Sequence, residues 1–338
     1  MRVGIVGTGA IANKHADSYR EIGYELVAAS NRSEQKGRDF SKRYGVEFVP
    51  DYGDLCRRPD IDFIDVCAFP DSRLAIAREG FTNGKHVLVQ KPIALKLEEA
   101  REMIRLAEQA GLQLGVVSQY RFGDAVIFLR KAIQQGRLGR IVEADTYCKW
   151  HRPQAYYDRP GKGAWDVEGG GALINQAIHG IDLLLYLAGP AREVYADWQL
   201  AAAHTMESED VINALVRYEN GATGVIQAST AILPGYPERT EIHGTKGSAI
   251  VSGDKLIAWD VQGDAGDDAP LVKQRGESGA SDPMAISIEP FKRQFLDFGD
   301  AIRNKRRPVC SGEDGYRALQ LVLAAYESAR SGKKVGLG

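Results

Sequence analysis

A lysine follows an apolar run in the first third of the chain, where the pattern predicts a strand. Residues 86–89 read His-Val-Leu-Val, and Gln90, Lys91 and Pro92 come next. Open α/β sheets bind ligands beyond the carboxyl ends of their strands. An ammonium group at that edge can hydrogen-bond a hydroxyl and stabilise a developing alkoxide. We predict a functional role for Lys91; the plainer alternative is a structural ion pair.

A second polar pair lies on a predicted apolar helix further along the chain. The glycine run 169–171 opens this helix, and Asn175 and His179 follow on it, four residues apart. Residues at that spacing share one face of a helix. Histidine titrates near neutrality and suits removal of a hydroxyl proton, whereas asparagine can only orient a ligand. A histidine on an apolar helix is commonly a core residue, and the glycine run and the polar pair favour function here.

The chain begins with an apolar strand that runs straight into a glycine-rich turn. Gly7 permits a tight bend, Gly9 leaves no Cβ in the way of a pyrophosphate, and small Ala12 lets the helix lie close to the strand. The amides that open the helix then face the phosphates. This pattern predicts a dinucleotide site rather than a merely structural turn. The residues assigned to it are Gly7, Thr8, Gly9, Ala10, Ile11 and Ala12.

The second predicted strand ends without the acidic residue that commonly binds the adenosine ribose. A carboxylate would repel a 2′-phosphate, whereas Ser30, Arg32 and Ser33 can donate to one, and Arg38 can add charge. The sequence therefore favours NADP over NAD. If Asn31 alone binds the ribose diol, the cofactor is NAD. The cofactor site is completed by Phe69, Pro70, Gln90, Lys91 and Pro92, which follow two neighbouring strands.

Composition narrows the class of protein. The chain has 338 residues, 44% hydrophobic and 26% charged, with a formal net charge of −2, which suits two globular domains. This charge favours neither nucleic acid nor an anionic membrane, and we expect a small-molecule ligand. The four cysteines have no CxxC spacing, so neither a metal cage nor a disulfide framework is expected. No leader or membrane span is expected, and the predicted location is cytoplasmic.

Residues 1–119 alternate apolar runs with amphipathic stretches, which predicts an α/β Rossmann domain with a doubly wound parallel sheet. The predicted strands are Val3 to Val6, Leu26 to Ser30, Phe63 to Cys67, His86 to Val89 and Leu114 to Val117. The predicted helices are Ile11 to Ile22, Ser33 to Tyr44, Ser72 to Asn83 and Leu97 to Ala110.

Residues 120–338 predict an α+β domain for substrate binding and oligomerisation, with a large open, mostly antiparallel sheet. Residues 194–259 read as strand after strand, and residues 261–283 as a surface loop or irregular hairpin. The other predicted elements are helices at Asp124 to Gln135, Gly171 to Leu187, Ile286 to Asn304 and Asp314 to Ser331, and a strand at Ile141 to Lys149.

Aromatic and basic residues crowd the loop before the helix of His179. Aromatic faces with hydrogen-bonding tips suit a polyhydroxylated ring, and Arg152 and Lys162 could also bind a carboxylate or phosphate. The alternative is a loop buried against a neighbouring subunit. The predicted substrate-binding residues are Lys91, Arg121, Trp150, Arg152, Tyr156, Trp165, Asn175, His179 and, more weakly, Tyr236.

The glycine turn, the Gln90-Lys91-Pro92 tripeptide and the helix of Asn175 and His179 together resemble the family of glucose-fructose oxidoreductase, inositol dehydrogenase and the rhizopine-catabolism protein. The resemblance spans nearly the whole chain. It implies NAD(P)-dependent chemistry on a sugar or cyclitol hydroxyl, and a homodimer or homotetramer formed through the C-terminal sheet. It also extends to the segments 207–210 and 241–247.

Position by position, Lys91 matches the family's catalytic lysine, and the resemblance allows a cis bond to Pro92 as in many relatives. His179 matches the histidine base. Asn175 stands where many members have aspartate, which leaves more of the acid-base work to His179. Gln90 replaces the more usual glutamate and puts one polar contact near the nicotinamide in doubt.

These features predict a dehydrogenase or reductase that moves a hydride between nicotinamide C4 and a hydroxyl-bearing carbon of a sugar, sugar acid or cyclitol. Lys91 would orient and polarise the oxygen, and His179 would exchange its proton. Two alternatives stay open: an NAD-dependent glycosidase of the same fold, and a regulator that senses dinucleotide without chemistry. The joint presence of Lys91 and His179 disfavours the regulator.

Overall fold

The structure, a computed structural model, describes residues 1–200, 202–264, 266–270, 280 and 286–338. Within the loop predicted over 261–283, residues 265, 271–279 and 281–283 lie outside the described residues. The chain divides into two compact units, each with its own sheet. Unit 1 comprises Met1–Gln119 and Ile288–Tyr316, and unit 2 comprises Tyr120–Ser287 and Arg317–Gly338.

The sheet of unit 1 is parallel throughout its described pairings, with the order β3-β2-β1-β4-β5-β6. This is the strand order of a doubly wound dinucleotide-binding domain, and the predicted α/β fold is confirmed. The short edge strand β3 was not predicted. The strands are β1 (Arg2–Val6), β2 (Glu25–Ser30), β3 (Glu47–Phe48), β4 (Phe63–Val66), β5 (His86–Val89) and β6 (Leu114–Val116).

The helices of unit 1 follow the apolar spacing of the sequence. In α5, Ala100, Met103 and Ala107 are buried on one stripe, and Glu98 and Glu99 lie in the first turn, where negative charge is favourable. Only α3, which is too short to show a period, was not predicted. These helices are α1 (Ala10–Glu21), α2 (Glu34–Tyr44), α3 (Tyr52–Arg57), α4 (Arg73–Thr82) and α5 (Leu97–Ala110).

The sheet of unit 2 has the order β13-β12-β11-β7-β10-β9-β8-β14 and is mostly antiparallel, as predicted. The exception is the pairing of β7 with β10, which is parallel. The strands are β7 (Ile141–Lys149), β8 (Ala191–Leu200), β9 (Glu209–Tyr218), β10 (Thr223–Ser229), β11 (Arg239–Gly244), β12 (Gly247–Ser252), β13 (Lys255–Val261) and β14 (Val335–Gly336).

One face of this sheet is covered by a helix, and the other carries exposed apolar side chains. Helix α8 lies on β7, so close that a Cβ on Gly180 would come within 2.2 Å of the Thr146 hydroxyl. On the opposite face, Tyr195 of β8 and Leu215 of β9 are register partners and both are exposed. The helices are α6 (Asp124–Gln134), α7 (Gln154–Tyr157) and α8 (Ile178–Ala188).

The last two helices are α9 (Glu289–Arg303) and α10 (Gly312–Ser331). The sequence assigned 120–338 to one domain, whereas the structure groups Ile288–Tyr316 with unit 1. The cause is aromatic packing: Phe295 of α9 stacks on Tyr19 at 4.5 Å, and Phe298 meets Phe63 edge-on at 5.3 Å. None of the helices in the described part of the chain is long and apolar enough to cross a membrane.

Candidate active site

The turn after β1 requires glycine at its first position. Gly7 has a φ of 96°, which is left-handed, and its N–H donates to the carbonyl of Ser30 at 2.8 Å. A Cβ at this position would lie 2.5 Å from the backbone nitrogen of Ala68. Gly7 is therefore fixed both by the bend and by the close approach of the chain after β4.

The start of α1 is open on the side where an anion would bind. A Cβ on Gly9, the N-cap of α1, would meet nothing within 4 Å, and the first turn of α1 contains no acidic residue. The Thr8 hydroxyl is buried, with no hydrogen-bond partner in the described part of the chain. Fully buried Ala12 lets α1 pack on the sheet. These features fit a dinucleotide pyrophosphate at the helix N-terminus.

Asn31 ties the glycine turn to the end of β2. Its Oδ1 accepts the N–H of Thr8 at 3.2 Å, and its Nδ2 donates to the carbonyl of Ser33 at 2.9 Å. Ser33 in turn caps α2 by accepting the N–H of Lys36. The predicted ribose-binding segment is thus ordered by its own hydrogen bonds.

Two side chains predicted to bind a 2′-phosphate have other partners. The hydroxyl of Ser30 is buried and donates to the carbonyl of Pro50 at 3.3 Å. The guanidinium of Arg38 pairs with Glu34 at 2.6 Å on the same helix. Arg32 is exposed at the end of β2 and remains the basic group nearest the turn in sequence.

The segment that carries Lys91 leaves the same edge of the sheet as the glycine turn, because β1, β4 and β5 run parallel. Arg73 is buried beneath it: its Nε donates to the carbonyl of Ala68 at 3.0 Å, and its Nη1 donates to the carbonyls of Gln90, at 2.6 Å, and Pro92. The Lys91–Pro92 peptide bond is cis. Arg73 therefore fixes the backbone on both sides of the lysine.

Phe69 and Pro70 also lie beyond this edge, after β4. Pro70 is buried at the start of a short 3-10 turn, Pro70–Ser72, and Phe69 is 39% exposed. They remain predicted cofactor contacts.

In unit 2, Asn175 lies in a π-helical turn, Leu173–Ala177, which runs directly into α8. Such turns are rare and frequently occur at functional sites. His179, in the first turn of α8, is buried, and its ring stacks on that of Tyr120 at 4.8 Å. Burial, and then the charge of Glu238, raise the pKa of Tyr120 well above its usual value. Tyr120 therefore supports the imidazole as a neutral aromatic surface.

Glu209 has a role at the start of this helix that the sequence pattern does not indicate. Its carboxylate is fully buried and accepts the N–H groups of Gly171, at 2.9 Å, and Leu173, at 2.8 Å. The hydroxyl of Tyr326 donates to the same carboxylate at 2.9 Å. Glu209 therefore anchors the helix that carries Asn175 and His179.

Arg121, a predicted substrate contact, forms a buried bidentate ion pair with Asp182 of α8. Its Nε donates to Oδ2 at 2.8 Å and its Nη2 donates to Oδ1 at 2.6 Å. Its guanidinium also lies 4.5 Å from the ring centre of Tyr186. This pair fixes the turn of α8 that follows His179. A contact of Arg121 with substrate remains a prediction.

The predicted substrate loop contains a cluster of cations around one tyrosine. The charged ends of Arg159, Lys162 and Arg152 lie 4.3, 5.1 and 5.7 Å from the ring centre of Tyr156. Arg152 also lies 5.0 Å from the ring of Trp150, and both are buried. Burial lowers the pKa of Arg152. Aromatic and cationic groups are thus gathered here, but Lys162 already pairs with Glu168, and Arg152 donates to the carbonyls of His151 and Ala280. The contact of Trp150, Arg152 and Tyr156 with substrate remains a prediction.

Trp165 and Tyr236 lie in different surroundings. Trp165 packs edge-on against Tyr326 at 5.0 Å and tilts against Trp198 at 5.4 Å, with the Arg330 guanidinium 4.7 Å from its ring centre. Tyr236 is half-exposed and lines a cleft on the sheet together with residues including Tyr147, Lys149, Arg239 and Ser252. Their contact with substrate remains a prediction.

The parallel sheet with its open glycine turn and the second unit with a buried histidine helix define a dinucleotide-dependent oxidoreductase. The chain belongs to the Gfo/Idh/MocA oxidoreductase family: residues 1–118 match its NAD-binding Rossmann-fold model, and residues 126–250 match its C-terminal domain model. The predicted family, fold class and enzyme class are therefore confirmed.

Relatives of this chain include two enzymes that act on hydroxyl or carbonyl groups of sugars and cyclitols. It is 28% identical to a 1,5-anhydro-D-fructose reductase of Ensifer adhaerens, covering 98% of this chain and 97% of the relative. It is 27% identical to the myo-inositol 2-dehydrogenase of Thermotoga maritima, covering 100% and 98%.

A solved structure of similar fold is the WlbA dehydrogenase of Bordetella pertussis in complex with NADH and UDP-GlcNAcA. It is 29% identical to this chain, with a TM-score of 0.87, and the match covers 100% of this chain and 98% of that one. An NAD-binding domain in this chain is therefore supported by both the family model and the structural neighbour.

Proposed function

We propose that this protein is a dehydrogenase or reductase that moves a hydride between C4 of a nicotinamide and a hydroxyl-bearing carbon of a sugar, sugar acid or cyclitol. One observation carries the proposal: the open helix start at Gly9 and Lys91, whose flanking carbonyls Arg73 binds, follow strands that end at the same edge of one parallel sheet. A dinucleotide bound at Gly9 would extend along the edge at which Lys91 can reach a substrate.

The residues divide the chemistry of alcohol oxidation. Lys91 donates a hydrogen bond to the reacting oxygen and stabilises the alkoxide character that develops there. His179 removes the hydroxyl proton and returns it in the reverse direction. Asn175 orients a neighbouring hydroxyl. The bound cofactor supplies the hydride acceptor or donor.

The proposal is tested with a panel of sugars, sugar acids and cyclitols, following absorbance of the reduced nicotinamide with each cofactor. With a compound that turns over, His179→Ala should lower kcat by about 100-fold or more, because a general base commonly contributes at least that factor. NADH affinity, measured by fluorescence, should stay unchanged. His86→Ala, at the amino end of β5, is the matched control and should retain activity.

Contrary results separate the alternatives. Unchanged kcat in the His179 variant would remove the proposed base. Release of a sugar from a glycoside without net cofactor change would identify a glycosidase. Cofactor binding without reaction of any panel compound would support the sensing regulator.

We propose that NAD binds at least as tightly as NADP. The missing acid after β2 favours NADP, but the engagement of Ser30 with Pro50 and of Arg38 with Glu34 weakens that preference. The NADH complex of the Bordetella relative also supports NAD. Fluorescence titration with NADH and NADPH tests this proposal, and a Kd for NADPH about tenfold lower than that for NADH would contradict it.

We further propose that the open face of the unit 2 sheet joins copies of this chain into a homodimer or homotetramer. Leu215 is 61% exposed there, and its register partners on both sides are Tyr195 and Val225. Tyr195 and Leu215 are exposed and Val225 is half-buried. Exposed apolar side chains that lie side by side on neighbouring strands are typical of an interface. Leu215→Glu should lower the molar mass measured by light scattering, whereas Leu233→Glu, at a 75% exposed residue outside the strands, should not.

A further inference from the structure

A buried series of polar side chains leads from the core of unit 1 to Lys91. His15 on α1 and Asp65 on β4 are both fully buried, and His15 Nδ1 lies 2.7 Å from Asp65 Oδ2. The other ring nitrogen, Nε2, lies 2.8 Å from Nε2 of Gln90. The Oε1 atom of Gln90 accepts the backbone N–H of Lys91 at 3.1 Å. The series therefore ends on the residue proposed to polarise the substrate.

The proton positions in this series follow from the chemistry of its end group. A carboxylate only accepts, so the hydrogen bond to Asp65 requires a proton on His15 Nδ1. With that tautomer, Nε2 of the ring is left to accept from the Gln90 amide, and Oε1 of Gln90 is left for the N–H of Lys91. The reversed amide would bring two acceptors together at His15 and two donors together at Lys91. Asp65 thus selects one orientation of Gln90.

The surroundings hold the ring in place. His15 packs against Phe295 at 4.9 Å and Phe291 at 5.4 Å, and the Tyr19 hydroxyl donates to Asp65 Oδ2 at 2.8 Å. A buried polar pair in an aromatic core does not by itself favour folding, because apolar residues of similar volume are commonly as stabilising. The pair does, however, fix a direction, which apolar side chains cannot do.

We infer that Asp65 and His15 are positioning residues that hold Lys91 in its reactive orientation through the side chain of Gln90. Arg73 holds the carbonyls of the same segment, and the Asp65–His15–Gln90 series holds the N–H of Lys91. The inference rests on the catalytic role proposed for Lys91. It adds that the orientation of this lysine is set in the core, by residues without substrate contact.

The geometric part is tested on the full chain without substrate. In ¹⁵N-labelled protein, the imidazole nitrogens of His15 should show the Nδ1–H tautomer, assigned by their loss in His15→Phe. The Lys91 amide signal, assigned with Lys91→Arg, should move upfield in His15→Phe because Gln90 loses its fixed orientation. Tyr19→Phe removes a different hydrogen bond to the same carboxylate and is the matched control, with the Lys91 amide unchanged.

The kinetic part uses the panel compound that turns over. His15→Phe should lower kcat about tenfold, because a small displacement of a catalytic group is costly, while KM and NADH affinity change less than about threefold. The isotope effect with deuterium at nicotinamide C4 should rise as hydride transfer becomes slower. Asp65→Asn keeps the shape of the side chain, and its amide group can donate a hydrogen bond to His15 as well as accept one. It should therefore give mixed His15 tautomers and a smaller fall in kcat, and it tests the series where His15→Phe fails to fold.

The geometric and the kinetic measurements together distinguish a failure of the positioning role from a failure of the proposed function. Lys91 amide shifts without turnover of any compound would leave the series intact and remove the proposed function. Turnover with full kcat in both His15→Phe and Asp65→Asn would overturn the positioning role. An Nε2–H tautomer in the wild-type chain would overturn it as well. So would tight binding of one zinc ion by His15, Asp65 and Cys67, whose ligand atoms lie within 4.8 Å of one another, since the metal would displace the Nδ1 proton.

Discussion

Glycine-containing turns precede α1 and the helix that carries His179, and the N-termini of these two helices differ in what they face. At Gly9, before α1, an added Cβ would meet nothing within 4 Å, and no acidic side chain lies in the first turn. At Gly171, a Cβ would lie 1.9 Å from the carbonyl oxygen of Glu209, and the Glu209 carboxylate already accepts the free amides. A glycine before a helix is therefore not itself an anion site; the helix start must also have room for the anion and no carboxylate already bound to its amides.

The occupied N-terminus has an electrostatic cost. Burial raises the pKa of Glu209 to about 7, although the bonds from Leu173, Tyr326 and Gly171 act in the opposite direction. The helix dipole and the hydrogen bonds thus only partly replace the water that the carboxylate has lost. The open N-terminus at Gly9 avoids this cost until a ligand arrives.

The largest effect is expected from Gly171→Ala. The new Cβ would collide with backbone rather than with a movable side chain, so we expect a loss of about 3 kcal/mol or more in the free energy of unfolding. Urea denaturation measures it, with Gly9→Ala as the matched substitution at the open helix start. A loss below about 1 kcal/mol would show that the two helix starts are packed alike.

The next largest effect is the part of the pH dependence of folding stability that comes from Glu209. Its pKa is about 7 in the folded chain, against an ordinary value of 4.5, so the folded state keeps a proton that the unfolded state releases between these values. The contribution of Glu209 to stability is therefore fully present below about pH 4.5 and is lost as the pH rises through about 7, by roughly 3 kcal/mol.

Glu209→Gln removes this titration but keeps an acceptor oxygen. The difference in unfolding free energy between Glu209→Gln and the wild-type chain should therefore shift in favour of the variant as the pH rises from about 4.5 to about 7. Urea denaturation at several pH values measures it, and Glu207→Gln, outside the buried group, is the control. A difference that stays constant with pH would show that Glu209 is ionised throughout.

The contrast between the two helix starts also shows what the sequence could predict. Apart from the short strand β3, the unit 1 strands follow from apolar runs and α5 from its amphipathic spacing, and the glycine turn follows from its position after the first strand. Glu209 could not be recognised in this way, because its partners at Gly171 and Leu173 are far from it in sequence. The π-helical turn around Asn175 likewise has no local signature.

Pairing between segments that are distant in sequence explains the remaining differences between the predicted and the observed fold. β7 lies between β10 and β11, although it precedes both by a long stretch of chain, and no periodicity specifies that insertion. The helix α9 reads as amphipathic from its sequence, but only its contacts show that its phenylalanines pack in unit 1. Loop side chains such as Arg121 could be recognised as polar, but not as paired with Asp182.

The smallest of the three effects, on ligand affinity alone, is expected from Gly9→Ala. Gly9 has a φ of −73°, which alanine adopts without strain, and the space around its Cβ is open. Alanine restricts the unfolded chain but is a poorer N-cap than glycine, so stability should change by less than about 1 kcal/mol in either direction. A methyl group in the space proposed for the pyrophosphate should raise the Kd for NADH about tenfold, equivalent to about 1.4 kcal/mol. Fluorescence titration measures the Kd, and Gly336→Ala, also in open space, is the control. Unchanged affinity in Gly9→Ala would mean that the amides that open α1 do not hold the phosphates, and the difference between the two helix starts would then have no bearing on cofactor binding.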